Sequence, residues 1–392
     1  MSVTQKSGHV KKWIRNIHLW LGLTSGLFVC FLGITGCILA FQREIEDLTQ
    51  EYHFVQPQNK TYLKPSRLKA IADSLVPGKQ AHSISYQQGK ASQVVYYGVE
   101  PEYYWIVFID PYTGKVLKVK NMEADFFHFV IDGHYYLWLP PNVGQPVLAS
   151  ATLMFLLLLL SGLVLWWPKN KAASKKRFTI KWNAKWKRLN YDLHNVLGFY
   201  MTWILIFIAF SGLVMGFQWF ASSAYWVSTG GKSLVQFEES ISDTTRRTAP
   251  LPGTPAMDLL WARTIDSLRN TQNGMEVHVP ATAQAAIEVT LNPDTDTYWK
   301  TDYRYYDQYS LKEIPVAHVY GRFSEAGAGD KLMRMNYDIH VGAIGGIAGK
   351  IIAFLASLIA ASLPITGFLI WRGKKKKSAE KALEKRQIQV QK

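Results

Sequence analysis

Four apolar segments, each long enough to cross a lipid bilayer as a helix, constrain the fold of this 392-residue chain more than any other feature. They are residues 17–41, 147–167, 196–220 and 351–371, and none contains Asp, Glu, Lys or Arg. A helix needs about 20 residues to cross about 30 Å of hydrocarbon. This pattern excludes an ordinary soluble enzyme, a disordered chain and a disulfide-stapled secreted domain. It predicts an α-helical membrane protein in a lipid bilayer.

Basic residues are concentrated in three segments that flank the apolar runs. Residues 1–16 carry four Lys or Arg and no acid, residues 168–190 carry nine and no acid, and residues 372–392 carry nine with two Glu. These segments have a net charge of +20, whereas the whole chain has +15. Lys and Arg accumulate on the cytoplasmic side of membrane proteins. We therefore predict that both termini are cytoplasmic, and we expect no nucleic-acid partner because topology explains the charge.

The two segments between the outer ends of the spans are long enough to fold. Each has a helical stretch followed by β-rich runs, and Asp-Pro-Tyr-Thr-Gly at 110–114 indicates a hairpin turn in the first. We predict helices at 65–75 and 257–268, and strands at 93–99, 103–109, 115–119, 275–279, 286–291 and 303–306. The predicted order is a cytoplasmic N-terminus (1–16), the first span (17–41), an outer α+β domain (42–146), the second span (147–167), a basic cytoplasmic loop (168–190), the third span (191–220), a second outer α+β domain (221–339), the fourth span (340–371) and a basic cytoplasmic tail (372–392).

The spans contain an internal repeat. Spans one and three open with the pattern [IL]-H-x-x-L-G, at His18 and His194, and each has a Ser/Thr-Gly pair 17 residues after its histidine. Spans two and four carry the same kind of pair, 27 residues after His134 and 26 residues after His340. We therefore predict a four-helix bundle built from two helix–domain–helix units. The four pairs are Thr35-Gly36, Ser161-Gly162, Ser211-Gly212 and Thr366-Gly367.

The repeat places two histidines at each end of the bundle. His18 and His194 start outward-running helices, at the cytoplasmic edge, whereas His134 and His340 precede inward-running helices, at the outer edge. Two imidazoles that meet across a bundle suit one six-coordinate iron, which favours two bis-histidine haems as the cofactors. Zinc fits less well because its structural sites need four ligands within reach. Packing alone is the other explanation, and His128 is an alternative outer ligand to His134.

Two further sets of residues follow the histidines. Gly22 and Gly198 lie four residues after His18 and His194 on the same helix face, where a side chain would obstruct a flat macrocycle, although close helix packing explains glycine equally. The motif R-x-N-Y-D-[LI]-H precedes two histidines and contains Arg188 and Arg334. Its polar residues suit helix capping, and the alternative is that the arginines bind haem propionates, because guanidinium binds carboxylates bidentately.

The chain resembles a known family, the bacterial PepSY-associated transmembrane proteins, which include inner-membrane ferric-siderophore reductases. The resemblance covers the chain up to Trp371. It is carried by the Arg15-x-x-His18 opening, the stretch 104–117 with its Asp-Pro-Tyr-Thr-Gly turn, the sequence Ser-Gly-Leu-Val-Leu-Trp-Trp-Pro at 161–168, the Asp-Leu-His start of span three, and the His340 and Thr-Gly-x-x-x-Trp features of span four. The second outer segment departs from the pattern, because Asp-Gln-Tyr-Ser at 307–310 lacks the turn glycine.

This resemblance implies PepSY-like outer domains, two b-type haems ligated by His18, His194, His134 and His340, and a location in the bacterial inner membrane. We therefore predict a di-haem reductase that passes electrons outward to a ferric siderophore and releases the iron as Fe²⁺. The sequence has no G-x-G-x-x-G, G-x-S-x-G or Walker motif, so we expect an external electron donor, a quinol or a separate reductase. The alternative is a non-enzymatic PepSY membrane module that binds or regulates a partner.

Overall fold

The computed structural model describes residues 3–99, 102–168, 177–246, 253–270 and 273–390. Part of the predicted basic loop, 169–176, lies outside these ranges. The chain divides into two compact units. A helical unit contains Met1–Ala40, Val130–Phe220 and Ile339–Lys392, and an α/β unit contains Phe41–Phe129 and Ala221–Asp338.

The main helices and strands follow one another in nearly the same order in the two halves of the chain. The helices are α1 (Val3–Ala40), α2 (Gln42–Thr49), α3 (Pro65–Asp73), α4 (Phe126–Tyr136), α5 (Pro141–Trp166), α6 (Trp186–Asp192), α7 (Gly198–Gly216), α8 (Gln218–Thr229), α9 (Ala256–Asn270), α10 (Ala328–His340) and α11 (Gly346–Val390). The strands are β1 (Ala81–Gln87), β2 (Ser92–Val99), β3 (Glu102–Ile109), β4 (Val116–Asn121), β5 (Gly274–His278), β6 (Ile287–Asn292), β7 (Asp302–Tyr306) and β8 (Glu313–Ile314).

Four helical segments among the described residues are long and apolar enough to cross a membrane: His9–Ala40, Pro141–Trp166, Trp186–Gly216 and Ala343–Lys376. This confirms the prediction of a multi-pass membrane protein. In the bundle, α1 packs against α5 and α11, and α7 packs against the same two helices. Consequently α1 lies diagonally opposite α7, and α5 lies diagonally opposite α11.

Close helix packing explains two glycines of α1. A Cβ atom on Gly33 would lie 2.7 Å from the carbonyl oxygen of Ser357, and one on Gly26 would lie 3.2 Å from the Cβ of Pro364. Both contacts are with α11, so these glycines let the two helix backbones approach each other.

His134 and His340 lie on short helices that are separate from the spans that follow them. Helix α4 ends at Tyr136, and Leu137 and Trp138 adopt left-handed backbone conformations before α5 begins. Gly144 permits this tight corner, because a Cβ atom there would overlap the backbone of Tyr136. In the other half, α10 ends at His340, and the left-handed Gly342 follows before α11 begins.

The α/β unit contains one antiparallel sheet of eight strands in the order β4-β3-β2-β1-β5-β6-β7-β8. Strands β1 and β5 pair at its centre, from Ser83 opposite His278 to Gln87 opposite Gly274. Where the sequence predicted two separate domains, both segments contribute four strands each to one sheet. Pairing β1 with β5 satisfies backbone groups that two separate four-stranded sheets would each leave exposed at an edge.

One face of the sheet is covered by α3 and α9, which share a single apolar core. This core includes Leu68 from α3, Leu260 from α9 and Ile84 from β1, all at most 1% exposed. The two helices are also joined directly, because the carboxylate of buried Asp258 accepts hydrogen bonds from the backbone N–H and the hydroxyl of Ser66.

Matching turns close the last hairpin of each half. Asp110 accepts from the backbone N–H of Tyr112, and Asp307 accepts from the backbone N–H groups of Tyr309 and Ser310. The left-handed position is Gly114 in the first turn, with φ of 77°, and Leu311 in the second, with φ of 54°. The second segment therefore forms the same turn without the glycine, at a cost of about 1–2 kcal/mol for a non-glycine residue.

Candidate functional site

The structure brings the four repeat histidines together as two pairs inside the helical unit. The ring centres of His134 on α4 and His340 on α10 lie 6.3 Å apart, with the ring planes inclined by 66°. His18 on α1 and His194 lie at the other end of the bundle, where each contacts the Ser/Thr-Gly pair of a neighbouring helix. His194 stands in a π-helical turn between α6 and α7, a local distortion that often marks a functional position.

Each of these histidines makes the same hydrogen bond to a neighbouring helix of its own half. In every case the ring Nδ1 lies 2.7–3.0 Å from the hydroxyl of the Ser or Thr in a Ser/Thr-Gly pair. The hydroxyls therefore orient the rings. The four contacts are His18 to Ser161 at 2.9 Å, His134 to Thr35 at 2.7 Å, His194 to Thr366 at 2.9 Å and His340 to Ser211 at 3.0 Å.

The hydrogen-bond network assigns the proton on each ring. A hydroxyl has one hydrogen, and each of the four donates it to a backbone carbonyl three or four residues earlier in its own helix, as Thr35 does to Phe31 at 2.9 Å. In this arrangement the hydroxyl accepts from Nδ1–H of the histidine. Nε2 consequently carries the lone pair, which is the form of histidine that binds a metal.

The glycine of each pair leaves room for the imidazole. A Cβ atom on Gly367 would lie 3.2 Å from Cε1 of His194, and one on Gly212 would lie 3.3 Å from Cε1 of His340. The corresponding distances are 3.5 Å from Gly162 to His18 and 3.7 Å from Gly36 to His134. Each Ser/Thr-Gly pair thus forms a small cradle, in which the hydroxyl holds the ring and the glycine gives it space.

Sequence reasoning used these pairs as markers of the repeat but assigned them no contact. The 17-residue spacing could have indicated the contact, because 17 helical residues rise about 26 Å, which is nearly the thickness of the hydrocarbon layer. The pair that follows His18 in α1 therefore lies at the opposite end of the bundle. There it contacts His134 rather than His18.

His128 and His134 lie on the same helix but in different surroundings. The ring of His128 packs against Tyr104 with centres 5.5 Å apart, and its backbone N–H donates to Asp125 at the start of α4. These contacts are within the α/β unit. It is His134 that the structure brings opposite His340.

The two motif arginines bind groups of the protein itself. Arg334 is 5% exposed and donates to the carbonyl oxygens of Thr301, Val319 and Gly321 at 2.6–3.0 Å. Arg188 binds the buried Asp192 through both carboxylate oxygens at 2.9 Å. Both guanidinium groups therefore form hydrogen bonds within the protein, and propionate binding by Arg188 and Arg334 stays a prediction.

The motif aspartates complete this structural role. Asp338 is fully buried and accepts from the backbone N–H groups of Tyr298 and Trp299 at 2.9–3.1 Å. Asp192 accepts from the backbone N–H of Lys181 at 3.4 Å. Both carboxylates thus fasten a preceding loop to the helix that leads to a site histidine.

Gly22 and Gly198 occupy matching positions beside leucine side chains. A Cβ atom on Gly22 would lie 3.8 Å from Leu158, and one on Gly198 would lie 3.5 Å from Leu363. These are ordinary van der Waals distances. The role of both glycines in clearing space for a macrocycle remains a prediction.

Each pair offers two protein ligands. Within the part of the chain that the structure describes, no group of three or more His, Cys, Asp or Glu side chains is placed to hold a metal ion. Such an arrangement suits a metal that brings most of its ligands with it.

Comparison with known proteins identifies the family. A search of curated proteins found no match. The family description PepSY-associated TM region, however, matches residues 15–374, which include all four histidines, the whole α/β unit and most of the helical unit. The chain therefore belongs to the PepSY-associated transmembrane family.

Proposed function

We propose that this protein is a di-haem membrane reductase. One b-type haem would be held by His18 and His194, and the other by His134 and His340. Electrons would pass from the cytoplasmic side or the quinol pool to a ferric siderophore on the outer side. The observation that carries the proposal is the pair His134 and His340, which come from opposite halves of the chain and have ring centres 6.3 Å apart.

The geometry of this pair fits a bis-histidine haem. A metal–imidazole bond is about 2 Å long and the ring centre lies about 1 Å behind the nitrogen, so two imidazoles on opposite sides of one metal have centres about 6 Å apart. The Nδ1–H groups are bound by hydroxyls, which leaves both Nε2 lone pairs available. A porphyrin would supply the other four ligands, in agreement with two histidines per site.

The chain's own residues bind and space the two groups. When bound, a b-type haem supplies reversible one-electron transfer between ferric and ferrous iron. His18 and Thr35 are both on α1, about 26 Å apart along the axis, so the helix sets the separation of the two sites across the bilayer. No acid, base or nucleophile is required of the protein.

The substrate is ferric iron in an oxygen-rich chelate. One electron converts Fe³⁺ to Fe²⁺, and hard oxygen ligands hold the softer Fe²⁺ less strongly, so reduction favours release. The basic segments support an orientation with both termini in the cytoplasm, in a bacterial inner membrane. That orientation would place His18 and His194 on the donor side and His134 and His340 on the chelate side.

The test is the haem content of the purified protein and its variants. A pyridine haemochrome assay should give two haems per chain, and one of them should be lost in His134→Ala. His128→Ala is the matched control on the same helix and should retain both. His18→Ala and His194→Ala should remove the same haem, so that the double variant loses little more than either single variant.

Three results would contradict the proposal. A parent protein without haem would favour the non-enzymatic binding or regulatory module. Loss of haem in His128→Ala but not in His134→Ala would reassign the outer ligand. Different haems lost in His18→Ala and His194→Ala would refute the pairing even in a haem protein.

A further inference from the structure

Each membrane-spanning segment contains one Ser/Thr-Gly pair, and each pair contacts one of the four histidines. We infer that these pairs are positioning elements that set the orientation and the electron-donating strength of each imidazole, and thereby the reduction potential of each site. This inference rests on the proposed function, because it concerns how the chain holds its two haems. It goes beyond ligand assignment, since none of these residues binds iron.

The first argument is that each of the four hydroxyls already donates its hydrogen to a backbone carbonyl of its own helix. Thr35 donates to the carbonyl oxygen of Phe31 at 2.9 Å, so only its acceptor lone pairs remain for Nδ1–H of His134. Hydrogen bonding to the second ring nitrogen makes a ligating imidazole more basic and fixes its tautomer and plane. A more basic ligand stabilises ferric iron relative to ferrous iron and therefore lowers the reduction potential.

The second argument is how the contacts are divided between the two halves. Each hydroxyl and its histidine belong to the same half of the chain, as Thr35 and His134 do, whereas the facing histidine belongs to the other half. The imidazoles are therefore oriented within each half before the halves meet at an iron. This preorganisation reduces the conformational freedom that is lost when the metal binds.

The third argument is that the outer pair is not symmetric. Nδ1 of His134 has one close hydroxyl, on Thr35 at 2.7 Å. Nδ1 of His340 lies 3.0 Å from both the hydroxyl of Ser211 and the carbonyl oxygen of Ile208. Removal of Ser211 thus leaves an acceptor in place, whereas removal of the Thr35 hydroxyl takes away the acceptor that fixes the ring. Replacing Thr35 should therefore change the reduction potential more than replacing Ser211.

The experiment compares variants in a spectroelectrochemical titration, with electron paramagnetic resonance of the ferric protein as a second readout. Thr35→Val keeps the shape of the side chain and removes the acceptor. A hydrogen bond is worth up to about 1.5 kcal/mol, so the reduction equilibrium of the outer haem should shift by up to about tenfold toward ferrous iron. A tenfold shift is about 59 mV upward for one electron.

The controls separate positioning from packing. Thr35→Ser retains a hydroxyl and should restore the parental potential. Thr202→Val is matched in chemistry and burial, because Thr202 is 4% exposed, Thr35 is 6% exposed, and Thr202 also donates to its own helix. It should leave both potentials unchanged. Ser211→Ala should shift the outer potential less than Thr35→Val, and it provides the test if Thr35→Val does not fold.

The outcomes distinguish this inference from the proposed function. Suppose that the parent protein binds two haems, but neither Thr35→Val nor Ser211→Ala changes the outer reduction potential or the electron paramagnetic resonance spectrum. That result would overturn the inference and leave the proposed function intact. An equal shift in the inner and outer potentials would also overturn the inference. A parent protein without haem would overturn both.

Discussion

Replacement of Arg334 tests whether the repeated motif R-x-N-Y-D-[LI]-H has a structural or a cofactor-binding role in this chain. The guanidinium donates to three backbone carbonyls and lies over the rings of Tyr303 and Phe323 at 5.5–5.9 Å. Arg334→Met keeps an apolar stem and removes all three donors. Hydrogen bonds to a charged group contribute about 1.5–3 kcal/mol each. The variant also avoids the free-energy cost of burying a charge, which offsets part of the lost stability. We expect a net loss of about 3–5 kcal/mol.

Arg334→Lys should have an intermediate effect, because one ammonium group cannot reproduce the planar fork that reaches three carbonyls. The assay is urea unfolding in detergent, followed by tryptophan fluorescence, together with the haem spectrum of the folded protein. Arg67→Met on the exposed side of α3 is the control and should change stability by less than about 0.5 kcal/mol. Parental stability of Arg334→Met combined with an altered haem spectrum would refute the structural role and restore the propionate interpretation.

Three other predictions concern pH, packing and the joined domain. Burial, and then the Glu276 carboxylate, raise the pKa of Glu288 from 4.5 to about 7. The folded state keeps a proton that the unfolded chain releases, so the free energy of unfolding falls as pH rises from 4.5 to 7, by up to about 3 kcal/mol. Glu288→Gln should therefore be more stable than the parent at pH 8 and equal to it near pH 4, and equal stability at both pH values would contradict this. Gly367→Ala places a methyl group 3.2 Å from the His194 ring and should lower haem content, whereas a matched Gly36→Ala, with 3.7 Å to its histidine, should keep both haems. Asp258→Ala removes two hydrogen bonds between α3 and α9 and should lower the urea midpoint, with a loss of about 2–3 kcal/mol, and an unchanged midpoint would argue against the shared core.

Several features could be predicted from the sequence alone because they depend on local composition. A run of about 20 uncharged apolar residues must be helical in a bilayer, since its backbone groups can be satisfied there only within the helix. The repeat then identified His18, His194, His134 and His340 as equivalent positions. Family membership also followed from motifs that are read along the chain, and the family comparison confirms it.

The joined sheet could not be predicted in the same way. Strand β1 has the sequence Ala-His-Ser-Ile-Ser-Tyr-Gln, which is rich in polar residues, and it was missed. Its partner β5 lies about 190 residues away in the chain. Only the folded unit shows that pairing these strands satisfies both edges.

Tertiary structure also decided which polar groups meet. The sequence contains Thr35, His128, His134 and Arg334, but their partners depend on helices and loops that are distant in the chain. Packing brings Thr35 to His134, directs His128 toward Tyr104 and surrounds Arg334 with three carbonyl groups. Apolar length and charge act on each segment separately, whereas a hydrogen bond requires two groups within about 3 Å and is therefore set by the packing of the whole unit.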